Sequence, residues 1–253
     1  MILKKAAWFL YQPYKWLVFI PFLAVNTLVL SFSAILISYL TGTFLTRYVG
    51  VWWARLNGFF TPMFVKVRGR ENMKKGQSYI IVSNHQSLYD IFVIYGWIHR
   101  HFKWVMKHSL RKVPGLGLYC DRMEHIFVDR TNTEKALQSI EAARHKITRG
   151  TCVLFFPEGT IFGHGTLGPF KKGAYKMAID LNLPILPVTI SGTENILPYK
   201  SINLFPGRAV MTIHEPISTE GYTEKTLIEL VYESKKKIAS ALEMIEDVSK
   251  EDA

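Results

Sequence analysis

The chain has 253 residues, a formal net charge of +11 and 49% hydrophobic residues, enough for one sizeable core without covalent staples. Cys120 and Cys152 lie in apolar or mixed segments with no C-x-x-C pattern, which argues against a disulfide framework or zinc knuckle and for an intracellular-facing setting. The basic charge asks for an anionic partner. Because aromatics cluster at the N-terminus instead of interleaving with Arg and Lys, a membrane surface is favoured and no nucleic acid is expected.

No charged residue occurs between Lys15 and Arg47. As a straight helix this stretch would run roughly 45 Å at about 1.5 Å per residue, against a hydrocarbon core of about 30 Å. Two arrangements fit: one tilted span, or a helix pair bent near Pro21 or Asn26 that enters one leaflet and returns. Lys4, Lys5 and Lys15 precede the run and Arg47 and Arg55 follow it, a symmetry that favours a hairpin with both ends on the cytoplasmic side. For a bacterial chain that is the cytoplasmic face of the inner membrane. Trp8, Trp16, Trp52 and Trp53 bracket the run as interfacial anchors do. A cleaved signal peptide is disfavoured by the length of the apolar run and the lack of a small-x-small site. Residues 1–60 are expected to form a membrane-embedded helical segment, and 61–253 the catalytic domain.

From Val65 onward short apolar runs alternate with amphipathic segments. Residues 78–83, 152–156 and 185–190 read as strands buried on both faces, and 124–130 and 208–213 as further strands. A helix over 133–150 places Ala136, Leu137, Ile140, Ala143 and Ile147 at helical spacing and stops at Gly150. A second crossover helix is expected over 171–183 and a long amphipathic one over 223–248. The expected fold class is α/β, a mainly parallel sheet flanked by helices, joined to the N-terminal membrane segment.

Ligands of such sheets sit beyond the carboxyl ends of strands. Three polar clusters fall there: "NHQSLYD" (84–90), the tail of "IFVDR" (126–130) and "FPEGT" (156–160). A neutral imidazole accepts a proton near pH 7, and a carboxylate can fix its tautomer. His85 and Asp90 are five apart, roughly 140° around an ideal helix, so the segment between them must turn if they are to meet. Asn84 to Ser87 suit a turn and N-cap, with Asp90 in the first helical turn and bent back toward His85. An isolated H-x4-D is more often a cap beside a surface histidine. "KWVMKHSLRKVPGLG" supplies Lys103, Lys107, Arg111 and Lys112, most of which read as a solvated basic face.

"NHQSLYD", "IFVDR", "FPEGT" with "PFKKGAYKMA", and "ILPVTI" follow the order and approximate spacing of four motifs, over residues 65–215. In them the chain resembles the glycerolipid acyltransferases, in particular the 1-acylglycerol-3-phosphate (lysophosphatidic acid) acyltransferases. The resemblance implies transfer of a fatty acyl chain from acyl-CoA or acyl carrier protein to the sn-2 hydroxyl of a lysophospholipid acceptor, with no cofactor, metal or acyl-enzyme intermediate. It implies His85 as general base and Asp90 as its orienting partner. Asn84, Ser87, Lys107, Arg130, Phe156, Pro157, Glu158, Gly159 and Thr160 are implied on the substrate side, and Pro184 and Pro187 in the fourth motif. Many members read FPEGTR, whereas Ile161 follows Thr160 here, so one expected phosphate-binding cation is missing and another lysophospholipid, or glycerol 3-phosphate, stands as the alternative acceptor. A non-catalytic lipid-binding protein is the rival from another class.

Three other signals are set aside. "GHGTLG" (163–168) matches G-x-G-x-x-G but leads into Pro169 instead of a helix. His99, His101 and His108 lack ligand spacing. No G-x-S-x-G elbow is present.

Overall fold

The computed structural model describes residues 9–129, 138–139, 142, 147, 150–162 and 166–251. The helix expected over 133–150 and the carboxyl end of the strand expected to reach Arg130 therefore lie largely outside the described residues.

The uncharged N-terminal run forms helix α1 (Phe9–Thr41), long and apolar enough to cross a membrane, with only 17% of its most apolar window buried in the protein. It folds back on α2 (Thr43–Phe60). Trp53 Nε1 donates to Thr27 Oγ1, Phe22 stacks on Phe60 at 3.8 Å, and Tyr14 Oη donates to Phe60 O, so the two helices run antiparallel. The chain reverses at Gly42, not near Pro21 or Asn26 as the sequence suggests. Gly42 takes φ +66°, a left-handed value that costs glycine little, with nothing crowding it. Pro21 is absorbed because a π-helical turn, Lys15–Phe19, precedes it and accommodates the missing N–H. Leu17, Val25, Phe32, Leu36, Leu40, Trp52 and Phe59 form a large exposed apolar surface on the pair. A soluble monomer rarely shows one of that extent.

Among the described residues the sheet has seven strands: β1 (Met63–Arg68), β2 (Ile80–Ser83), β3 (Phe102–Lys107), β4 (Ile126–Val128), β5 (Cys152–Phe155), β6 (Ile185–Ser191) and β7 (Gly207–Ile213). Their order is β1-β7-β6-β2-β5-β3-β4, and only the β6–β7 pairing is antiparallel. The strands expected at 78–83, 152–156, 185–190, 124–130 and 208–213 are all present, each end within two residues of the expected one. β1 and β3 were not foreseen. β3 was masked by its lysines: Lys103, read as part of a solvated face, is 2% exposed and donates to Met123 O and Glu124 Oε2. Its aliphatic stem lies in the sheet while its ammonium is satisfied at the far end, which is how a buried lysine is tolerated.

Alternate side chains of β2 enter two cores. Ile81 joins the layer formed by α2 and α3 (Tyr89–Trp97), with Ala54, Phe92, Val93 and Trp104. Ile80 and Val82 join the opposite layer, formed by α5 (Gly173–Asp180) and α7 (Leu227–Glu251), with Tyr175, Leu230 and Ile238. Among the described residues two further short α-helices are α4 (Leu116–Arg122) and α6 (Thr193–Ile196). The connection from β2 leaves toward β3 through α3, and that from β5 returns toward β6 through α5, so the carboxyl ends of the adjacent strands β2 and β5 form a switch point where a crevice opens.

At the end of β6, Gly192 adopts φ +85°, and a Cβ there would lie 2.3 Å from Arg208 O. This turn aims Thr193 at the loop after β2. Gly192→Ala is expected to destabilise the fold by at least about 1–3 kcal/mol, read as a lowered denaturation midpoint in detergent; an unchanged midpoint would contradict the close approach.

Candidate active site

The loop after β2 is held from three sides. Asn84 is fully buried and pairs with the backbone of β6 like an extra strand residue: its Nδ2 donates to Ile190 O at 2.7 Å and its Oδ1 accepts from Ile190 N at 2.8 Å. Ser87 Oγ donates to Leu197 O at 2.7 Å and accepts from Tyr89 N, the first residue of α3. Glu158, 4% exposed, takes His85 N–H on one carboxylate oxygen and Gly168 N–H on the other, each at 2.8 Å. His85 O in turn accepts from Phe162 N at 2.7 Å.

Within that frame His85 Nδ1 lies 2.8 Å from Asp90 Oδ2. Asp90 sits in the first turn of α3, fully buried, and the same oxygen also accepts from Gln86 N and Ser87 N. The turn required by the five-residue spacing is therefore tied by the carboxylate itself. Asp90 Oδ1 accepts from Thr193 Oγ1. Since the carboxylate can only accept, Nδ1 carries the proton and Nε2 is left as the acceptor. The imidazole stacks on Phe156 at 3.8 Å and 9° between planes, which fixes its ring orientation.

His85 and Phe156 line a cavity of about 280 Å³ that runs between the helical pair and the α/β domain. Thr27, Leu30, Val49, Gly50 and Trp53 supply one wall, and Leu88, Ile91, Tyr95, Trp104 and Tyr119 the other. Lys107, exposed, lies on this lining. Thr160 is exposed in the "FPEGT" turn, Pro157 is buried, and Gly159 takes φ +74° with a Cβ there falling 2.9 Å from Lys171 Nζ. Lys171 thus lays its ammonium along the turn whose next residue but one is Ile161. Arg130 lies outside the described residues.

Chemically the arrangement is a fixed imidazole base on the lining of a greasy pocket, with Lys107 on the same lining and, among the described residues, no activated nucleophile beside it: Ser87 Oγ is committed to Leu197 O. The sequence reading missed Thr193 and Lys171. "SGT" after β6 is a further polar cluster at a strand end, and the same rule that singled out the other three would have found it.

A family model described as Acyltransferase matches residues 64–191, half of the chain. The chain belongs to the glycerolipid acyltransferase family. Among its relatives, a mouse 1-acyl-sn-glycerol-3-phosphate acyltransferase alpha is 34% identical over 63% of this chain and 56% of its own length. The chloroplastic 1-acyl-sn-glycerol-3-phosphate acyltransferase of Brassica napus is 29% identical over 79% of this chain and 56% of its own. The chain thus spans little more than half the length of these curated relatives. The crystal structure of the 1-acyl-sn-glycerophosphate (LPA) acyltransferase from Thermotoga maritima superposes with a TM-score of 0.77 at 28% identity, covering 91% of this chain and 94% of that one. The shared fold extends through most of both chains.

Two outcomes follow from the hydrogen bonding. Thr193→Val leaves a buried carboxylate oxygen without its side-chain donor and is expected to lower unfolding free energy by about 1–3 kcal/mol, with Thr193→Ser recovering most of it. Equilibrium urea unfolding of both variants decides this. Burial also pushes the Glu158 carboxyl above its usual range, against the opposing pull of the N–H groups of Gly168 and His85. With the folded-state pKa raised, the folded protein binds more protons than the unfolded chain between the two values. This group's contribution to stability is therefore full at low pH and falls as pH rises through that window. Glu158→Gln removes that slope; a wild-type and a variant profile of the same slope above pH 4.5 would refute it.

Proposed function

We propose that the protein is a 1-acylglycerol-3-phosphate O-acyltransferase that moves a fatty acyl chain from a thioester, acyl-CoA or acyl carrier protein, to the sn-2 hydroxyl of lysophosphatidate. The observation that carries this reading is the Asp90–His85 pair on the lining of an apolar cavity, with Nε2 free to accept a proton and, among the described residues, no activated nucleophile beside it. The acyl chain enters the cavity and brings the thioester carbonyl to the imidazole. His85 Nε2 takes the proton of the acceptor hydroxyl as its oxygen attacks the carbonyl carbon. The carbon–sulfur bond breaks, and the departing thiolate leaves as the thiol with the proton that His85 releases.

Lys107 and Lys171 provide positive charge for the acceptor's phosphate, the second lying beside the turn that carries Ile161 in place of a cation. Asn84, Ser87 and Glu158, whose polar atoms are engaged by backbone groups, act by holding His85 and Asp90 in place. Residues 1–60 serve as a membrane-embedded segment and 61–253 as the catalytic domain. The exposed apolar face of α1 and α2 lies in one leaflet, on the cytoplasmic side, so that acceptor and acyl chain reach the cavity from the bilayer without crossing water. Because Ile161 is uncharged, acylation of a different lysophospholipid is the second reading.

The test is transfer from a labelled long-chain acyl thioester to lysophosphatidate, glycerol 3-phosphate and lysophosphatidylcholine in parallel, by detergent-purified protein. Phosphatidate is the expected product, and His85→Ala is expected to lower kcat by about 10²–10⁴ in protein that still unfolds cooperatively, at a lower midpoint because Asp90 loses a donor. Turnover on another acceptor alone would reassign the substrate and keep the chemistry. Transfer that survives His85→Ala, or no transfer to any acceptor, would remove the acyltransferase reading.

A further inference from the structure

Away from the cavity, at the far end of α3, basic side chains gather without an acid. Arg55 of α2 donates from Nε to Gly96 O at 2.9 Å and from a terminal nitrogen to His99 Nε2 at 2.8 Å. A guanidinium only donates, so His99 Nε2 is the acceptor and the imidazole carries its proton on Nδ1. His99 is exposed and takes φ +55°, a left-handed value that a residue with a Cβ adopts at a cost. Arg70 opens the 3₁₀ turn Arg70–Asn72 after β1, half-buried, and its guanidinium has no hydrogen-bond or ion-pair partner among the described residues. Burial, and then the charge of Arg55, draws the Arg70 guanidinium below its usual range. Burial, and then Arg70 and Arg55, does the same to the imidazole of His99. Among the described residues no carboxylate pairs with any of the three, although Glu71 is next to Arg70 in the chain.

Like charges held together repel, and the repulsion is relieved when one anion is shared among them. We propose that Arg55, Arg70 and His99 form a binding site for a phosphate group, separate from the acyl-transfer cavity. The unused N–H groups of Arg55, the guanidinium of Arg70 and Nδ1–H of His99 are donors suited to phosphate oxygens. α3 keeps the two sites apart: Asp90 lies in its first turn and His99 just past its last, roughly 13 Å away at about 1.5 Å per residue, and none of the three residues lines the cavity. The surroundings favour a phosphate carried by an anionic lipid. Trp52 and Phe59, three before and four after Arg55 on α2, are 60% and 76% exposed, and the Trp97 ring centre lies 5.9 Å from Arg55 Cζ. Apolar surface for acyl chains therefore borders the cations. The lipid source rests on the reading of α2 as a membrane element, whereas phosphate recognition does not.

Calorimetric titration of the detergent-purified protein tests this, with mixed micelles containing phosphatidylglycerol in one arm and inorganic phosphate, at matched ionic strength, in the other. Saturable binding of at least one probe is expected, weakened about tenfold by Arg70→Gln and largely restored by Arg70→Lys. Lys236→Gln, which removes an exposed charge from α7 on the opposite layer, is expected to leave binding unchanged. Arg70-dependent binding of the lipid that inorganic phosphate fails to displace assigns the site to a headgroup; Arg70-dependent binding of inorganic phosphate assigns it to the free ion as well. No saturable binding of either probe overturns the proposal. So does an Arg70→Gln affinity equal to wild type in protein with the wild-type melting midpoint. Equal weakening by Arg70→Gln and Lys236→Gln overturns it too, because net charge alone then explains the binding. Every readout is binding, so failure here leaves the acyl-transfer reading intact, and loss of that reading leaves this site testable.

Discussion

Everything at the crevice hangs on one buried carboxylate. Asp90 is completely shielded from water, a state that costs several kcal/mol unless the charge is met by donors. It is met by four: His85 Nδ1, the N–H groups of Gln86 and Ser87, and Thr193 Oγ1. Those donors come from the loop after β2 and the turn after β6, so satisfying the charge draws two strand ends and the first turn of α3 to one point. The same bonds that make the charge tolerable set the tautomer and direction of the imidazole. Function and local folding are therefore one constraint here, and the site is as rigid as the sheet that carries it.

A second carboxylate works on the other side of His85. Glu158 reaches from the end of β5 and takes the histidine's own backbone N–H, while its other oxygen ties down Gly168. With Asn84 paired to Ile190, three neighbouring strands, β5, β2 and β6, each fix one part of the same short loop. In the proposed reaction this division leaves the imidazole edge and the cations as the parts that meet substrate. It also explains why a motif of seven residues needs partners more than seventy residues away in sequence before its geometry is defined.

The His85–Asp90 pair was legible in the sequence because its logic is local: a turn of polar residues between a buried strand and an apolar helix start can only bring the two together one way. The α/β class, five strands and two of the described helices were legible for the same reason, since periodicity and strand-end turns are local signals. β3 was not, because Lys103 reads as surface until Met123 O and the Glu124 carboxylate are brought to it by the fold. The reversal at Gly42 was missed because proline is the louder signal, and a π-helical turn silences it. Nor is the cavity written in any one segment. Its walls come from α1, α2, α3, β3 and α4, and only their packing makes a space of them.

That packing gives the N-terminal pair a role beyond attachment. Thr27, Val49, Gly50 and Trp53 are wall residues, and Trp53 packs against Phe92 and Tyr95 of α3 while Arg55 Nε bonds Gly96 O. Without α1 and α2 the apolar side of the cavity would open to water and the imidazole would face a shallow, wet groove. An acyl chain held there would keep much of its surface hydrated, losing roughly 25 cal/mol for each Å² of apolar area left uncovered. The helical pair that exposes an apolar outer face is thus also the lid of the pocket on its inner face. In the proposed reaction, a chain sliding from lipid into the cavity would pass between two apolar surfaces of one element, which would couple where the protein sits to what it can bind.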